Sequence, residues 1–511
     1  MSDASTSNKR IAQNTIILYI RMLCTMTIGL YTSRVILNTL GVTDYGIYNV
    51  VGGIITMFGF INSSMASASS RFITFELGTG NKENLKKIFS LSLSIHFIIA
   101  ILIVLLGETI GLWFIYEKVQ IPIERFSSAI VVYHLSVAAS FLSIMSVPYN
   151  ATIIAHEKMS AFAYITILDV ILKLLIAYLL IIFPYDKLII YAILILIVQI
   201  INQTIYFFYT WKNFPEAKTL FTWDKNLCKD MASFAGWSLF GNLAATLFGQ
   251  GLNILLNLFF GPVVNAARGI AVQVQSIIVR FIGSFQTALN PQITKNYAAN
   301  ELEAMHKLIF TSSKFSFFLM MFLSLPVLIN TNYILTLWLK VVPEHTVIFV
   351  RIMLLISILE TLSNPLIVSA QATGKIRVYQ QVVGGILLSI LPISYIALKM
   401  GAPAYSVFII HLICSLIAQI ARLYMIRPMI QLRLKEYFHK VIIRISVVFI
   451  SSTFISYIFS TLYPNVCLLK FIIDSIASIL ISGIIIFIVG LNTKERLFFT
   501  SKLNTIKLKF K

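Results

Sequence analysis

The stretch NTIILYIRMLCTMTIGLYTSRVILNTLG, residues 14–41, has the length and composition of a membrane-spanning helix but carries an arginine, Arg21, within it. About 20 consecutive apolar residues are enough to cross the hydrocarbon core of a bilayer. A charge at the centre of that core costs roughly 2.5 to 3.5 kcal/mol on insertion scales, so it usually faces a bundle interior or a water-filled path. The stretch therefore predicts a membrane protein whose helices surround a polar space.

The composition of the whole chain indicates a polytopic membrane protein. Of its 511 residues 58% are hydrophobic and only 12% are charged, and the mean hydropathy is +0.87. Water-soluble domains carry about twice that fraction of charged residues. The polar start MSDASTSNKR leads into the first apolar segment without a signal-peptide cleavage pattern, so we expect the first helix to remain in the mature protein.

Apolar windows of about 20 residues predict an all-α fold with about fourteen transmembrane helices. They lie near residues 14–34, 43–65, 88–114, 127–147, 161–183, 187–210, 231–258, 263–288, 310–335, 346–370, 379–399, 403–426, 440–461 and 466–491. An even number places both termini on one side, and most of the 40 Lys and Arg fall in loops on that side. Because basic loops stay in the cytoplasm, we expect cytoplasmic N and C termini.

The net charge of +20 follows from these basic loops, so we expect no nucleic-acid partner. The four cysteines, Cys24, Cys228, Cys414 and Cys467, lack metal-ligand or disulfide spacing. The chain has no glycine-rich phosphate loop, no HExxH motif and no long soluble loop that could hold an active site. We therefore expect a protein that is not an enzyme and has no metal and no cofactor.

The domain organisation follows from the longest loop, residues 211–230, which separates two groups of six spans. We expect a cytoplasmic N-terminus at 1–13, a six-helix bundle at 14–210, a cytoplasmic linker at 211–230, a second six-helix bundle at 231–426, two additional helices at 427–491 and a basic cytoplasmic tail at 492–511. A gap-free alignment of the chain with itself that places Gly41 on Gly261 supports the two halves, since ITFELGTGNKENLKK then matches ITKNYAANELEAMHK. Parallel repeats of six spans have the same orientation in the membrane.

Polar residues follow a helical period on the first two spans of each half. In span seven they lie at steps of three or four residues: Asn242, Thr246, Gln250, Asn253 and Asn257. In span eight they do the same: Gln273, Ser276, Arg280, Ser284 and Thr287. Such stripes can be packing faces between helices, and for the Gly- and Ser-rich span two this interpretation is as good as a cavity. Spans one, seven and eight contain no carboxylate for Arg21 or Arg280, which favours a wet, cationic cavity.

Our hypothesis is that this cavity binds an anion, because a guanidinium keeps its charge and grips phosphate oxygens with a planar fork. The candidate substrate-binding residues are Arg21, Arg34, Arg268, Arg280, Asn242, Gln250, Asn253, Asn257 and Gln273. Asp169 and Lys173 are four residues apart in span five, which favours a structural ion pair. Glu360 and Asp474 are isolated acids within spans and are candidates for a coupling-ion site.

The stretches LYTSRVILNTLGVTDYGIYNVVGGI, SSRFITFELG, PYNATIIAHEKM and LLNLFFGPVVNAARGIAVQVQ resemble the O-antigen-type oligosaccharide flippases of the bacterial polysaccharide transporter family. That family lies in the multidrug/oligosaccharidyl-lipid/polysaccharide exporter superfamily. The resemblance implies two pseudo-symmetric six-helix bundles facing each other in a V, with two added C-terminal helices. It covers nearly the whole chain, and the turn from Leu40 to Tyr48 is its most specific part.

The resemblance also implies a function: alternating access that moves undecaprenyl-diphosphate-linked oligosaccharide across the bacterial inner membrane for surface polysaccharide, such as O-antigen, capsule or exopolysaccharide. The implied partners are the lipid-linked oligosaccharide, H+ or Na+ as a coupling ion, and the polysaccharide assembly machinery. An ion-coupled drug or cation antiporter of the same fold is the alternative, although a cavity for organic cations should present acidic residues. A membrane O-antigen polymerase or ligase is disfavoured by the short loops.

Overall fold

The computed structural model describes residues 2–500 apart from residues 58, 120, 183–184, 219–221, 463–467, 494 and 498–499. Within those residues the chain is nearly all helical, with short turns between the helices, and contains no strand, which confirms the predicted all-α class. Cys467, the middle of the predicted linker and the basic tail beyond residue 500 lie outside the described residues.

The described part of the chain contains eighteen α-helices, which we number in chain order. They are α1 Ser2–Met57, α2 Gly59–Thr79, α3 Lys82–Leu106, α4 Leu112–Lys118, α5 Ile123–Met145, α6 Val147–Ala155, α7 Met159–Ile182, α8 Lys187–Asn213, α9 Lys225–Ala298, α10 Leu302–Ile329, α11 Thr331–Leu339, α12 Thr346–Glu360, α13 Ser363–Thr373, α14 Arg377–Lys399, α15 Ser406–Ile430, α16 Leu434–Tyr437, α17 Ile443–Thr461 and α18 Leu468–Ile485. Short π turns extend some of these helices, at Gly107–Gly111, Phe438–Ile442 and Ile486–Gly490.

Among the described residues, 12 helical stretches are long and apolar enough to cross a membrane. They correspond to all but two of the predicted spans. The remaining two, 43–65 and 263–288, lie in helical parts of the chain that follow Gly41 and Gly261. Both carry polar stripes, which lower their hydropathy, so the helix count is consistent with the predicted fourteen.

A glycine interrupts each of the two longest helices at the same place in the repeat. Gly41 in α1 has φ 79° and ψ 168°, and Gly261 in α9 has φ 77° and ψ −171°. This region of backbone conformation is essentially restricted to glycine. The two residues are the pair that the self-alignment of the sequence matches, so the break between the first two spans of each half is a repeated structural feature.

Alanine at Gly41 or at Gly261 is expected to destabilise the protein by roughly 1–3 kcal/mol through backbone strain. A Cβ atom at either position meets no other atom within 4 Å, so no steric clash contributes. Gly46→Ala is the matched control, because Gly46 lies in α1 with equally open surroundings but without a positive φ. Thermal unfolding in detergent should show lower midpoints for the first two variants alone; equal midpoints for all three would contradict the prediction.

The loop that follows is repeated as well. Helix α2 ends before Gly80, which has φ 75°, and α9 ends before Asn300, which has φ 57°. Asparagine is the non-glycine residue that most readily adopts this left-handed conformation. The next helices begin at Lys82 and Leu302, which the same alignment pairs, as the matching loop sequences predict.

The Asp44 side chain within the Leu40–Tyr48 turn has a structural role. Arg125 donates to both Asp44 oxygens, at 2.8 and 2.5 Å, and to both Asp186 oxygens, at 3.0 and 2.9 Å. Burial would raise the pKa of Asp186, but the hydrogen bonds from Arg125, Ser128 and the Leu188 amide outweigh it and hold this pKa below its ordinary value. The turn is thus tied to the starts of α5 and α8.

The structure also contains the predicted intrahelical ion pair in α7. Lys173 Nζ lies 2.8 Å from Asp169 Oδ2. Asn202 of α8 donates to the other Asp169 oxygen at 2.7 Å. Two hydrogen bonds to the carboxylate support a packing role for this pair.

Contacts between Cα atoms divide the chain into two units. Unit 1 comprises Met1–Leu243, Thr287–Glu301 and Gly374–Gln380, and unit 2 comprises Ala244–Gln286, Leu302–Thr373 and Gln381–Lys511. Each has many exposed apolar side chains, for example Leu30 and Ile182 in unit 1 and Ile254 and Leu258 in unit 2. Such surfaces are expected where helices face lipid. The domain boundaries given by the sequence stay a prediction.

Candidate functional site

Arg21 lies on α1 in unit 1 and is half-buried. Its guanidinium stands 4.7 Å from the centre of the Phe162 ring, a cation–π contact. Its Nε is buried and has no hydrogen-bond partner among the described residues. The arginine that raised the question of a polar space is thus held by an aromatic face, and no described carboxylate forms an ion pair with it.

The other candidate arginines differ in exposure. Arg34, on α1 in unit 1, and Arg280, on α9 in unit 2, are both exposed, and neither side chain bonds to a described residue. Because a charge in a membrane helix is stable only where water or another polar group reaches it, the exposed Arg280 indicates a wet surface on unit 2. Arg268, also in unit 2, is buried at 8% exposure.

The structure brings three of the predicted residues into one hydrogen-bonded cluster in unit 2. Arg268 donates to the Asn253 side-chain oxygen and, at 2.7 Å, to the Gly249 carbonyl. Asn253 in turn donates to Gln250 at 3.1 Å. Arg268 therefore meets the part of the polar stripe formed by Asn253 and Gln250, and its Nε stays buried without a partner among the described residues.

The remaining candidates lie apart from this cluster. Asn242 belongs to unit 1, where it donates to Ser64 at 3.3 Å. Asn257 and Gln273 are exposed in unit 2. Asp474 on α18 is only 3% exposed, and neither of its carboxylate oxygens has a hydrogen-bond partner in the described part of the chain. The substrate-binding roles of all these residues stay a prediction.

Glu360 lies beside Arg268 in a cavity of unit 2 whose volume is about 250 Å³. The polar lining consists of Arg268, Gln275, Glu360 and His411, and the apolar lining includes Phe248 and Phe408. His411 Nε2 lies 3.4 Å from Glu360 Oε1, and Ser415 donates to the same oxygen at 3.4 Å. Glu360 thus has a histidine partner that the sequence did not reveal.

A second group of charged residues, which the sequence analysis missed, surrounds Glu157 in unit 1. Glu157 lies between α6 and α7, and its side chain is 4% exposed. Lys295 donates to it at 2.7 Å, Gln292 donates at 3.1 Å, and Arg10 forms an ion pair at 3.4 Å. We call Arg10, Glu157, Gln292 and Lys295 the clasp. It joins the start of α1, the α6–α7 turn and the end of α9.

Backbone contacts reinforce the clasp. Arg10 also donates to the His156 carbonyl at 3.0 Å, and Asn14 donates to the Glu157 carbonyl at 3.4 Å. The Glu157 φ of 58° places this turn in the left-handed conformation. The chain therefore turns sharply at the point where its carboxylate meets the end of α9.

Burial would raise the pKa of Glu157, but Lys295, Gln292 and Arg10 outweigh it and hold this pKa below its ordinary value of 4.5. A carboxyl whose pKa is lowered by folding stabilises the fold above its unfolded pKa and loses that contribution as the pH falls through its folded pKa. The contribution of the Glu157 carboxylate to stability is therefore present at neutral pH and is lost in acid, as the pH falls through its lowered pKa.

The end of α2, which the repeat pairs with the end of α9, lies against the turn between α13 and α14. Arg71 lies over the rings of Phe72 and Phe75, at 4.5 and 4.6 Å. A Cβ atom at Gly374, in the turn before α14, would stand 3.0 Å from an Arg71 nitrogen. The end of α9 thus meets the α6–α7 turn, and the end of α2 meets the α13–α14 turn, which corresponds to it in the other half.

Few sequence signals could have revealed these contacts. Glu157 belongs to the stretch PYNATIIAHEKM, and a single charge in a turn has no periodicity to mark it. His411 is one histidine on an apolar helix, which is more often packed than functional. Its relation to Glu360 depends on the packing of α12 against α15, which spacing within one helix does not give.

Comparisons with known proteins are consistent with this architecture. The family model described as "Polysaccharide biosynthesis protein" matches residues 11–297, and the MatE family model matches residues 237–396. The comparison with curated proteins gives no match.

Solved structures of transporters are similar in fold. An outward-facing multidrug resistance MATE family transporter of the MOP superfamily has 16% identity and a TM-score of 0.70, covering 83% of this chain and 96% of that chain. A MOP superfamily transporter from Pyrococcus furiosus, described as having a binding pocket of reverse polarity that suggests a different function, has 16% identity and a TM-score of 0.67, with the same coverage. At this identity the likeness shows the fold alone.

Proposed function

The chain belongs to the polysaccharide biosynthesis protein family, and from this premise we propose that it is a flippase for lipid-diphosphate-linked oligosaccharide. It is a multi-pass membrane protein with the fold of the MOP superfamily transporters. In our proposal it moves the lipid from the cytoplasmic to the periplasmic leaflet of the bacterial inner membrane by alternating access. The cargo then enters the assembly of a surface polysaccharide.

The observation that carries this proposal is the presence of cationic side chains in membrane helices without a carboxylate bound to them. Arg280 is exposed. Arg21 forms a cation–π contact with Phe162, and its buried Nε has no hydrogen-bond partner among the described residues. A diphosphate supplies the oxygens that such guanidinium groups bind best. A cavity for organic cations would instead require acidic groups at these positions.

Alternating access requires contacts that form on one side of the membrane and break in turn. The clasp is suited to this role, because its ion pairs and hydrogen bonds hold the end of α9 against the α6–α7 turn and can be exchanged for contacts with water. In our proposal it closes the side that carries the N-terminus and opens when the cavity faces the cytoplasm. H+ or Na+ would drive the cycle.

The leaflet distribution of the lipid-linked oligosaccharide tests the proposed function. Spheroplasts with and without the protein are treated with a membrane-impermeant glycosidase that removes the sugars only from the outer leaflet. Depletion of the protein should leave the glycan protected on the cytoplasmic face. Unchanged sidedness together with accumulation of a cationic dye would instead assign the protein to the drug and cation antiporters.

A further inference from the structure

The cavity around Arg268 has an unusual charge distribution for a pocket that binds diphosphate. Glu360 lines the same space as Arg268, so an anion bound there would also face a carboxylate. Two Arg268 nitrogens already donate to Asn253 and to the Gly249 carbonyl. A neutral ligand with many hydrogen-bonding groups fits this lining better than a phosphate does.

The polar atoms around the cavity offer both donors and acceptors. Arg268 contributes its unpartnered Nε, and this side chain is more than nine-tenths buried. The Gln275 amide nitrogen donates to Ser357 at 2.5 Å, which leaves the Gln275 side-chain oxygen as an acceptor. Glu360 is an acceptor, and the buried His411 Nε2, which lacks a hydrogen-bond partner among the described residues, completes the set.

The rest of the cavity lining is apolar and includes two aromatic rings. Phe248 and Phe408 line the cavity together with four further apolar side chains, and Phe248 packs edge-on against His411 at 5.0 Å. Binding sites for small molecules typically combine an apolar and aromatic wall with a few polar groups that fix orientation. A sugar ring has the matching surfaces, since its C–H face packs on aromatic rings and its hydroxyls both donate and accept.

The size of the cavity suits a ligand of about one ring. A cavity of about 250 Å³ lies below the roughly 300–1,000 Å³ of pockets for drug-sized ligands. It corresponds to roughly eight waters at about 30 Å³ each. A bare cation or proton would leave most of this space and its apolar wall unused.

We propose that the cavity lined by Arg268, Gln275, Glu360, His411, Phe248 and Phe408 is a subsite for one sugar ring of the transported glycan. This inference rests on the proposed function and deepens it, because it separates recognition of the sugar from binding of the diphosphate. The sugar displaces the cavity water and its hydroxyls replace the hydrogen bonds of that water.

Two lipids distinguish the subsite from the diphosphate site. The probes are lipid-linked oligosaccharide extracted from the cells that make the protein, and bare undecaprenyl diphosphate. Native mass spectrometry of the full chain with both probes in competition gives their relative occupancy. We expect the wild type to prefer the glycan-bearing lipid at least about tenfold.

Glu360→Gln and Phe248→Ala are expected to reduce this preference to about one while retaining binding of the bare lipid. Phe260→Ala, an exposed aromatic of α9 that does not line the cavity, is the matched control and should keep the wild-type preference. A preference for the glycan-bearing lipid that persists in both cavity variants would overturn the subsite. Variants that bind both lipids more weakly by the same factor would overturn it as well.

The remaining outcomes separate the two proposals. A wild type that binds both lipids equally would overturn the subsite and leave the flippase function standing. A wild type that binds neither lipid would overturn the proposed function. If Glu360→Gln keeps the sugar preference but removes the pH dependence of transport, the cavity is a proton site rather than a sugar site.

Discussion

Replacing Arg21 and Arg280 with alanine together is expected to lower transport of the lipid-linked oligosaccharide by at least about 100-fold. Each substitution removes the charge-assisted hydrogen bonds of one guanidinium to the diphosphate, which are worth roughly 1.5–3 kcal/mol each. Since 1.4 kcal/mol corresponds to a factor of ten, each single variant should lose about 10-fold or more. The glycosidase assay on spheroplasts measures the outcome at matched expression.

Two further variants test the physical reason for this loss. Lysine at both positions keeps the charge but lacks the planar fork, so it should retain part of the activity. Arg433→Ala is the control, because Arg433 is an exposed arginine paired with Glu303 and Glu436 outside the candidate cavity. Normal transport by the double alanine variant would remove both arginines from the binding site.

Reversing one charge of the clasp is expected to release the end of α9. In Lys295→Glu two carboxylates would face each other. In the wild type the Glu157 side chain is 4% exposed and the Lys295 side chain is 23% exposed. Removing one partner of a buried ion pair costs roughly 3–5 kcal/mol. Because Lys295 is partly exposed, we expect a cost at the low end of this range, about 3 kcal/mol. The open form should therefore gain about 100-fold in population.

Thiol labelling measures this opening. Ile293, which is fully buried near the clasp, is replaced by cysteine in a background from which the native cysteines are removed. A maleimide should label Ile293→Cys faster in Lys295→Glu and in Glu157→Lys than in the parent protein. The double exchange, Glu157→Lys with Lys295→Glu, should restore much of the protection because the pair is re-formed with reversed polarity.

Two controls separate charge from general disruption. Arg433→Glu breaks an exposed pair with Glu303 and should leave the labelling rate unchanged. Gly78→Leu should speed labelling without a change of charge, because even a Cβ atom at Gly78 would lie 2.7 Å from the Lys295 carbonyl oxygen. Equal labelling of the parent and both charge-reversal variants would mean that the clasp does not hold α9.

Patterns within a single helix predicted much of the fold. Continuous apolar windows located the helices, and glycine at matching positions 41 and 261 located the two backbone breaks. The polar period of α9 correctly grouped Gln250 with Asn253, because residues three apart lie on one face of a helix. The Asp169–Lys173 pair was predictable for the same reason.

Such patterns could not predict contacts between segments that are far apart in the sequence. Glu157 and Lys295 are separated by 138 residues, and their pairing depends on how the end of α9 packs in unit 1. Exposure is also a tertiary property: Arg268 is buried and Arg280 is exposed, although both stand on the same helix. The sequence therefore located the charged residues but could not separate a buried guanidinium from an exposed one.

The paired glycine breaks have a consequence for the origin of the chain. Because the break, the following loop and the next helix recur at matching positions in both halves, the two halves have the form of a tandem gene duplication. A unit of six spans begins and ends on the same side of the membrane, so its fusion to a second copy requires only a connecting segment and no additional helix. Arg21 lies on the first span of its half, whereas Arg280 lies on the second span of the other half. Divergence after duplication would therefore have left the two arginines on spans that are not equivalent in the repeat.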